Sequence, residues 1–315
     1  MQKVLLPSRK VFSETLFELA KGDKDIIVLT SDSRGSASVE NFAQYLPEQF
    51  IEVGIAEQNL VSIASGLAGC GKKPFVFSPA CFLTTRSIEQ IKIDVAYTNR
   101  NVKLVGVSGG VSYGPLGSTH HALEDIAFMR AIPNMTVILP SDVNQVRVLV
   151  KELVSHIGPV YVRIGRNPIE DVYSDCKDVP FEIGKGNILL DGDDVTIIAT
   201  GEVVKTAYDA GILLRDRGVY ARVIDMHTIK PIDESLIVES AKKTRLIVTI
   251  EEHNIKGGLG SAVAEVVVQR FPVEMIMLGI PDQFSVTGSQ KEILEYYGLT
   301  PEGICDTILE RLERD

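Results

Sequence analysis

Cysteines, long apolar segments and an excess of positive charge are scarce or missing in this sequence. Its four cysteines are scattered, without CxxC or CxxH spacing, which gives no sign of a zinc site and is typical of a reducing compartment. No apolar run approaches the ~20 residues of a membrane span, and residues 1–7 turn polar too soon for a signal peptide. The net charge of −10 argues against a general surface for nucleic acid or anionic membranes. We therefore expect a cytoplasmic protein with neither of these partners.

Two clusters of glycine and aspartate do not complete a ligand-binding motif. Residues 257–260 are rich in glycine and precede a helix, but they lack the order and the opening strand of a G-x-G-x-x-G fingerprint. Residues 191–194 have acidic spacing, but they fit a hairpin turn between the apolar residues 188–190 and a strand that begins at Val195. The sequence therefore predicts no metal site in this chain.

Apolar strands that alternate with amphipathic helices predict an α/β protein. With 315 residues, 45% of them apolar, the chain has the size of about two globular domains. Helices of ten or more residues between strands indicate mainly parallel sheets with right-handed crossovers. We predict domains at 1–170 and 187–315, joined by a linker at 171–186, and a first helix at 9–21 capped by Ser8. The predicted strands are 26–29, 50–53, 74–77, 102–107, 136–139 and 160–164 in the first domain, and 195–198, 221–224, 246–250 and 275–278 in the second.

Glu57 stands where the strand 50–53 gives way to a helix. Open α/β sheets bind ligands at the carboxyl ends of their parallel strands. A carboxylate in that place suits a hydrogen bond to a protonated ring nitrogen of a heterocyclic cofactor. The alternative is that Glu57 only opposes the dipole of its helix, and this segment alone leaves both interpretations open.

Residues 108–121 form a loop that follows the strand 102–107 and ends on His120 and His121. Its glycines suit a backbone that approaches a ligand closely. Histidines beyond a strand end are suited to acid–base or hydrogen-bonding work near neutral pH. The alternative is that one histidine caps the next helix and the glycines only turn the chain.

Arginines and one phenylalanine complete the set of candidate residues. Arg163 and Arg166 end the last strand of the first domain, and their guanidinium groups suit bidentate contact with phosphate, although interdomain salt bridges fit equally well. Arg34, beyond the strand 26–29, is a weaker case of the same kind. Phe82, after the strand 74–77, can stack on a flat heterocycle or belong to the core.

Together these segments resemble the C-terminal half of transketolase over nearly the whole chain. The likeness comprises a pyrimidine-binding domain followed by the transketolase C-terminal domain. Five ordered matches are more specific than any one of them. The matching segments are 54–59 (Gly-Ile-Ala-Glu-Gln-Asn), 82–96, 117–120 (Gly-Ser-Thr-His), 139–142 and 199–202.

The resemblance implies the cofactor thiamine diphosphate. Glu57 would then hydrogen-bond the aminopyrimidine and activate the cofactor, and Phe82 would stack on that ring. Asp32 and Gln58 are further expected cofactor contacts. His120 would bind hydroxyls near the reacting carbonyl, and His121 would assist it.

The resemblance also implies a sugar phosphate site. Arg166 is the best match to the family's phosphate-binding arginine, and Arg163 and Arg34 are further candidates. Two positions depart from better-known transketolases. Leu116 replaces an Asp that reads a donor hydroxyl, and Ser108 replaces a phosphate-contacting His, so the identity of the sugar is open.

No Gly-Asp-Gly motif occurs in this sequence, whereas the family holds the diphosphate and its metal through that motif. The resemblance therefore implies an N-terminal partner subunit that carries Gly-Asp-Gly and holds Mg²⁺ or Ca²⁺, within an α2β2 assembly. The alternatives are a 2-oxo acid dehydrogenase beta subunit, a 1-deoxyxylulose-5-phosphate synthase, and a regulatory subunit without catalytic activity.

Overall fold

The structure is a computed structural model that describes residues 5–174 and 176–313. The start of the segment 1–7, Asp175 in the predicted linker and the last two residues of the second predicted domain lie outside the described residues. Within the described part of the chain, no helix is both long and apolar enough to cross a membrane.

In the part of the chain that the structure describes, twelve strands form two sheets. The strands are β1 Ile26–Thr30, β2 Phe50–Glu52, β3 Lys73–Pro79, β4 Lys103–Val107, β5 Thr136–Ile138, β6 Val160–Ile164, β7 Asn187–Leu190, β8 Val195–Ala199, β9 Ala221–Asp225, β10 Thr228–Lys230, β11 Leu246–Asn254 and β12 Glu274–Ile280. The first sheet has the order β10-β5-β6-β4-β3-β1-β2 and the second has the order β12-β11-β8-β9-β7.

Helices connect the strands and cover both sheets. They are α1 Ser8–Ala20, α2 Arg34–Ala37, α3 Glu40–Tyr45, α4 Glu57–Gly69, α5 Ala80–Arg86, α6 Ile88–Gln90, α7 Asp125–Ala131, α8 Val143–Ser155, α9 Val204–Asp216, α10 Glu234–Lys243, α11 Leu259–Arg270, α12 Gln290–Tyr296 and α13 Pro301–Leu312. The π-helix Ile91–Tyr97 follows α6, and single 3₁₀ turns lie at Pro47–Gln49, Gly114–Leu116 and Gly201–Val203.

The predicted pair of α/β domains with mainly parallel sheets is confirmed. Strands β1, β4, β6, β8 and β9 are buried along their whole length. Such strands are typical of parallel sheets with helices on both faces. The apolar sequence runs that predicted the strands arise from this burial.

Each sheet also contains one antiparallel edge strand that the sequence did not predict correctly. Strand β10 belongs to the second half of the chain but pairs with β5 in the first sheet. Strand β7 pairs with β9, so the predicted hairpin between β7 and β8 is wrong. The turn at residues 191–194 is instead stabilised by a residue distant in sequence, since the amino group of Lys243 forms ion pairs with both Asp191 and Asp193.

Helix α1 begins one residue earlier than predicted. The N-cap is Pro7, and the predicted cap, Ser8, instead donates a hydrogen bond from its hydroxyl to Glu202 at 2.8 Å. A contact between residues far apart in the chain therefore replaces the local cap. This contact also links α1 to the second domain.

The largest apolar cluster spans the two domains. It contains buried side chains from both sheets and from the helices between them, so the domains bury a common apolar interface. Members from the first half include Leu60, Met129 and Leu139, and members from the second half include Ile198, Ile224, Met226 and Leu259.

Candidate functional site

The parallel strands of the first sheet bring five following segments to one edge. The strands β6, β4, β3, β1 and β2 are neighbours in that order, and the segments after them carry Arg166, His120, Phe82, Asp32 and Glu57, respectively. Because the carboxyl ends of parallel strands lie at the same edge, residues far apart in sequence come together there.

Glu57 is the first residue of α4, and its side chain is only 5% exposed. Arg86, at the end of α5, donates a hydrogen bond from Nη1 to Glu57 Oε1 at 2.9 Å. Among the described residues, no hydrogen-bond partner occupies Glu57 Oε2. Glu57 also stands in the first turn of α4, where a carboxylate opposes the helix dipole. The two interpretations of Glu57 are therefore compatible.

A row of rings and cations extends from Glu57 across the edge of the sheet. The Arg86 guanidinium lies 4.1 Å from the centre of the Phe82 ring. Phe82 meets His120 edge-to-face at 5.3 Å, and His120 meets Tyr113 in the same way at 5.6 Å. The Arg166 guanidinium lies 5.1 Å from the Tyr113 ring. The predicted residues Glu57, Phe82, His120 and Arg166 therefore lie along one continuous surface.

Positive charge is concentrated at the Arg166 end of this row. Arg166 Nη1 is buried and has no hydrogen-bond partner among the described residues. Arg9 donates to the Arg166 carbonyl at 3.3 Å and to the Ser36 carbonyl at 2.7 Å. Burial and then the charge of Arg166 lower the pKa of Arg9. An anion bound at this end would relieve the repulsion between the two arginines.

Arg163 does not reach this surface, so its predicted phosphate contact is contradicted. Its side chain is 6% exposed, and Nη1 lies 3.4 Å from Oδ1 of the fully buried Asp125. Nη2 donates a hydrogen bond to the Glu252 carbonyl of the second domain. Arg163 therefore has a structural role, through an ion pair within the first domain and a hydrogen bond to the second domain.

The glycines of the loop 108–121 do not serve as a cradle for a ligand. A Cβ atom on Gly109 would lie 2.4 Å from Arg163, and one on Gly110 would lie 2.4 Å from Glu252. The positions of Gly114 and Gly117 are filled in the same way by residues of the second domain. The sequence predicted that these glycines let the backbone approach a ligand. In the structure they instead make room for neighbouring parts of the chain.

His121 is buried, and both of its ring nitrogens contact the chain itself. Nδ1 lies 2.5 Å from the Ser285 hydroxyl, and Nε2 lies 3.0 Å from the Gly114 carbonyl. Burial lowers the pKa of the ring. These contacts favour a role in holding the loop over the catalytic role that the sequence suggested for His121.

Asp32 and Arg34 form a small exposed group beside the row. The Asp32 amide donates to Glu52 Oε1 at 2.7 Å, and Arg34 Nε lies 3.6 Å from Glu52 Oε2. Gln58 is exposed in the open cleft next to Glu57. The structure thus places Gln58 at the site and gives Arg34 an acidic partner, while the cofactor and phosphate roles of these residues stay predictions.

The two departures from the family pattern have different surroundings. Leu116 is 52% exposed in the 3₁₀ turn of the loop, so its apolar side chain faces outward. Ser108 is fully buried, and its hydroxyl has no hydrogen-bond partner among the described residues. Ser108 therefore cannot contact a sugar phosphate on the open surface.

Two glutamates of the second domain bind backbone groups of the first. Glu202 Oε1 accepts hydrogen bonds from the Ser8 hydroxyl and from the Gly165 amide at 3.1 Å. Glu252 Oε1 accepts from the Val111 amide at 2.7 Å. Burial, and then the charge of Glu252, raises the pKa of Glu202 to about 7. The second domain therefore supports the loops of the site through buried carboxylates.

Sequence reasoning missed Tyr113, Arg9 and Ser285. Tyr113 was visible as the only aromatic residue of the loop 108–121 besides the histidines, which is a usable signal. Arg9 and Ser285 lie far away in sequence, and only the fold brings them to the site. Across residues 5–174 and 176–313, no group of three or more His, Cys, Asp or Glu side chains could hold a metal ion.

Comparisons with known proteins agree on one family. A family model described as "Transketolase, pyrimidine binding domain" matches residues 6–170, and one described as "Transketolase, C-terminal domain" matches residues 184–304. The chain is 52% identical, over 100% of both chains, to an apulose-4-phosphate transketolase subunit of Phocaeicola vulgatus.

Two further proteins bear on subunit organisation. A solved structure described as a split-gene transketolase in an inactive β4 tetramer is 40% identical, has a TM-score of 0.90 and is matched over 99% of its length by 98% of this chain. A 1-deoxy-D-xylulose-5-phosphate synthase of Geobacter sulfurreducens is 36% identical over 94% of this chain, which spans 46% of that protein. The chain therefore belongs to the transketolase family, whose cofactor is thiamine diphosphate, as the C-terminal subunit of a two-subunit transketolase.

Proposed function

We propose that Glu57, Phe82 and His120 form this chain's share of the thiamine diphosphate site, and that Arg166 binds the phosphate of a ketose donor. One observation carries the proposal. These four residues follow four different strands and nevertheless line up, through Arg86 and Tyr113, along one edge of the sheet.

The residues present fit the cofactor. Glu57 offers a nearly buried carboxylate, and Phe82 offers a half-buried ring beside it. Glu57 would hold the aminopyrimidine nitrogen by a hydrogen bond, and Phe82 would stack on that ring. Asp32 and Gln58 would make outer contacts. When bound, the cofactor supplies the carbanion chemistry that breaks and forms the carbon–carbon bond.

The donor's two ends would meet different groups. His120 is half-buried between Phe82 and Tyr113, where its ring can hydrogen-bond hydroxyls near the reacting carbonyl. The buried Nη1 of Arg166 is a charge-assisted donor without a partner among the described residues, which suits a phosphate oxygen. Arg34 would approach the same phosphate from the loop beyond β1.

We propose a phosphorylated ketose as the donor. The relative from Phocaeicola vulgatus is named for apulose 4-phosphate, which supports this class of substrate. Leu116 is exposed where the family usually carries an Asp, and an apolar side chain cannot accept a hydrogen bond from a sugar hydroxyl. We therefore infer that the configuration at the carbon next to the carbonyl is read only weakly.

The proposed partner is an N-terminal transketolase subunit that carries Gly-Asp-Gly and holds the diphosphate with Mg²⁺ or Ca²⁺, in an α2β2 assembly. The cleft beside Glu57 is open, and Ile55 at its rim is 73% exposed. Tyr97, at the end of the neighbouring π-helix, is 81% exposed. Apolar side chains around an open site support a covering subunit. The cytoplasmic location stays a prediction.

The test is ketol transfer by the chain reconstituted with its partner. The isolated chain should bind thiamine diphosphate weakly in calorimetric titration with Mg²⁺, and the complex should transfer a ketol unit from xylulose 5-phosphate or apulose 4-phosphate. Glu57→Gln should lower kcat by about a hundredfold or more, because it removes the acid–base group. The matched control is Glu89→Gln, an exposed carboxylate on α6.

Three results would reject the proposal. They are tight cofactor binding by this chain alone, full activity of Glu57→Gln, and turnover of pyruvate without ketol transfer. The last result would favour the 2-oxo acid dehydrogenase alternative.

A further inference from the structure

Residues 285–290 of the second domain, which we name the bracing segment, lie against the loop 108–121 and the residue after Arg166. We propose that this segment positions both ends of the donor site. Ser285 acts through His121 on His120, and Gln290 acts through Asn167 on Arg166. The inference rests on the proposed function and assigns to the C-terminal domain a part in substrate alignment.

The first arm, by which we mean the chain of contacts from Ser285 through His121, fixes the turn that carries His120. The Gly114 carbonyl can only accept, so His121 Nε2 donates to it at 3.0 Å, and Nδ1 accepts from the Ser285 hydroxyl at 2.5 Å. The Ser118 hydroxyl donates to the Ser285 carbonyl at 3.0 Å. Ser285 thus holds the residues on both sides of His120.

The shape of the loop depends on the same segment. A Cβ atom on Gly114 would lie 2.7 Å from the Gly288 carbonyl oxygen, and one on Gly117 would lie 2.9 Å from Thr287 Oγ1. Both glycines have positive φ, at 46° and 72°. The backbone that leads to His120 is therefore pressed directly against the bracing segment.

The second arm holds the residue that follows Arg166. Asn167 Nδ2 donates to Gln290 Oε1 at 2.7 Å. Gln290 Nε2 donates to both carboxylate oxygens of the buried Glu252 at 3.1 Å. Because Gln290 is fixed on both sides, Asn167 has a rigid partner, and the backbone at Arg166 is held in turn.

The two arms act on different ends of the donor, so they predict different kinetic effects. His120 serves the reacting carbonyl, and displacement of a group at the reacting centre lowers kcat. Arg166 binds the phosphate. Loss of its alignment weakens binding of the ground state and of the transition state equally, which raises KM and leaves kcat unchanged. A variant that only destabilised the protein would not separate these two constants.

The experiment measures kcat and KM of the reconstituted complex with xylulose 5-phosphate and with free xylulose. Ser285→Ala should lower kcat about tenfold with both donors and change KM little. Gln290→Ala should raise KM for the phosphorylated donor about fivefold without changing kcat. The kinetic constants measured with free xylulose should stay unchanged. Ser155→Ala, an exposed serine that bonds only its own helix, is the matched control.

Second variants keep the test informative if either alanine variant fails to fold. His121→Ala should match Ser285→Ala, and the double variant should be no worse than either single one, because both remove the same link. Asn167→Ala should reproduce the KM effect while Gln290 still binds Glu252. The inference would be overturned if the losses of kcat were additive in the double variant of Ser285 and His121. It would also be overturned if the variants of both contact chains changed kcat and KM equally.

A separate outcome concerns the proposed function. If the parent complex shows no ketol transfer, the proposed function fails. If the parent complex is active and the bracing variants match Ser155→Ala, only the present inference fails.

Discussion

Arg163 and Arg166 lie three residues apart at the end of β6 and have opposite surroundings. Arg163 points into the molecule, where it forms an ion pair with Asp125 and donates a hydrogen bond to the Glu252 carbonyl. Arg166 lies at the edge of the sheet, half-buried over the Tyr113 ring. The same side chain is therefore a structural cation in one place and a candidate ligand-binding group in the other.

The first prediction concerns the buried ion pair. Arg163→Ala should lower the free energy of unfolding by on the order of 3 kcal/mol, because it leaves the buried Asp125 carboxylate without its cation. Chemical denaturation of the purified chain measures this loss. The control Arg34→Ala, which removes a half-exposed arginine, should cost less than about 0.5 kcal/mol. Equal losses in the two variants would contradict a structural role for Arg163.

At this scale the sequence could supply candidates but could not sort them. The sequence put Glu57 and His120 beyond the ends of predicted parallel strands, and such strand ends meet at one edge. His121 follows the same strand as His120, and Arg163 lies within β6 itself. Their contacts depend on Ser285 and Asp125, whose proximity is decided by packing.

At the scale of elements, the predicted linker is more ordered than its composition indicated. The Asp142 side chain caps α8 and also accepts hydrogen bonds from the backbone amides of Val172 and Tyr173, at 2.9 and 2.8 Å. The Tyr173 hydroxyl donates to Asp225 at 2.6 Å. The start of this aspartate-containing segment is thus fixed by the side chain that caps α8 and by the buried Asp225 carboxylate.

The second prediction uses this double role. Asp142→Ala should lower the free energy of unfolding by about 2–3 kcal/mol, since it removes a helix cap and leaves two amides unpaired. Thr300→Ala removes a cap that accepts a single amide and should cost about 1 kcal/mol. Thermal and urea unfolding compare the two variants. A smaller loss at Asp142 than at Thr300 would show that the linker contacts add nothing.

Among the elements, the interior strands were the most predictable. Strands buried on both faces carry long apolar runs, and the sequence displays such runs directly. The edge strand β10 is three residues long, and its pairing with β5 depends on the second domain lying against the first. No periodicity in residues 228–230 could have indicated that partner.

At the scale of the whole molecule, buried carboxylates of the second domain form hydrogen bonds to the first domain. Glu202 Oε1 receives a hydroxyl and an amide from the first domain, and Oε2 is buried without a hydrogen-bond partner among the described residues. Burial raises the pKa of this carboxyl from 4.5 to about 7. The folded chain therefore holds a proton between about pH 4.5 and 7 that the unfolded chain has lost, and this contribution to stability falls as pH rises through that window.

The third prediction follows from that sign. Glu202→Gln keeps an acceptor oxygen for Ser8 and Gly165 but cannot ionise. From about pH 5 to about pH 8, the variant should gain stability relative to the parent, by up to about 3 kcal/mol. Denaturant unfolding at each pH measures the difference. Glu48→Gln, an exposed control, should show no such gain, and a flat difference for Glu202→Gln would contradict the shifted pKa.

The sequence by itself determined the alternation of strands and helices, the α/β class and the family, because these depend on local apolar patterns and on short ordered motifs. It also determined that Glu57, Phe82, His120 and Arg166 stand at strand ends. Only the tertiary structure decided which polar residues face the open edge and which face the other domain. That choice depends on contacts between residues far apart in the chain, such as His121 with Ser285, and local sequence carries no record of them.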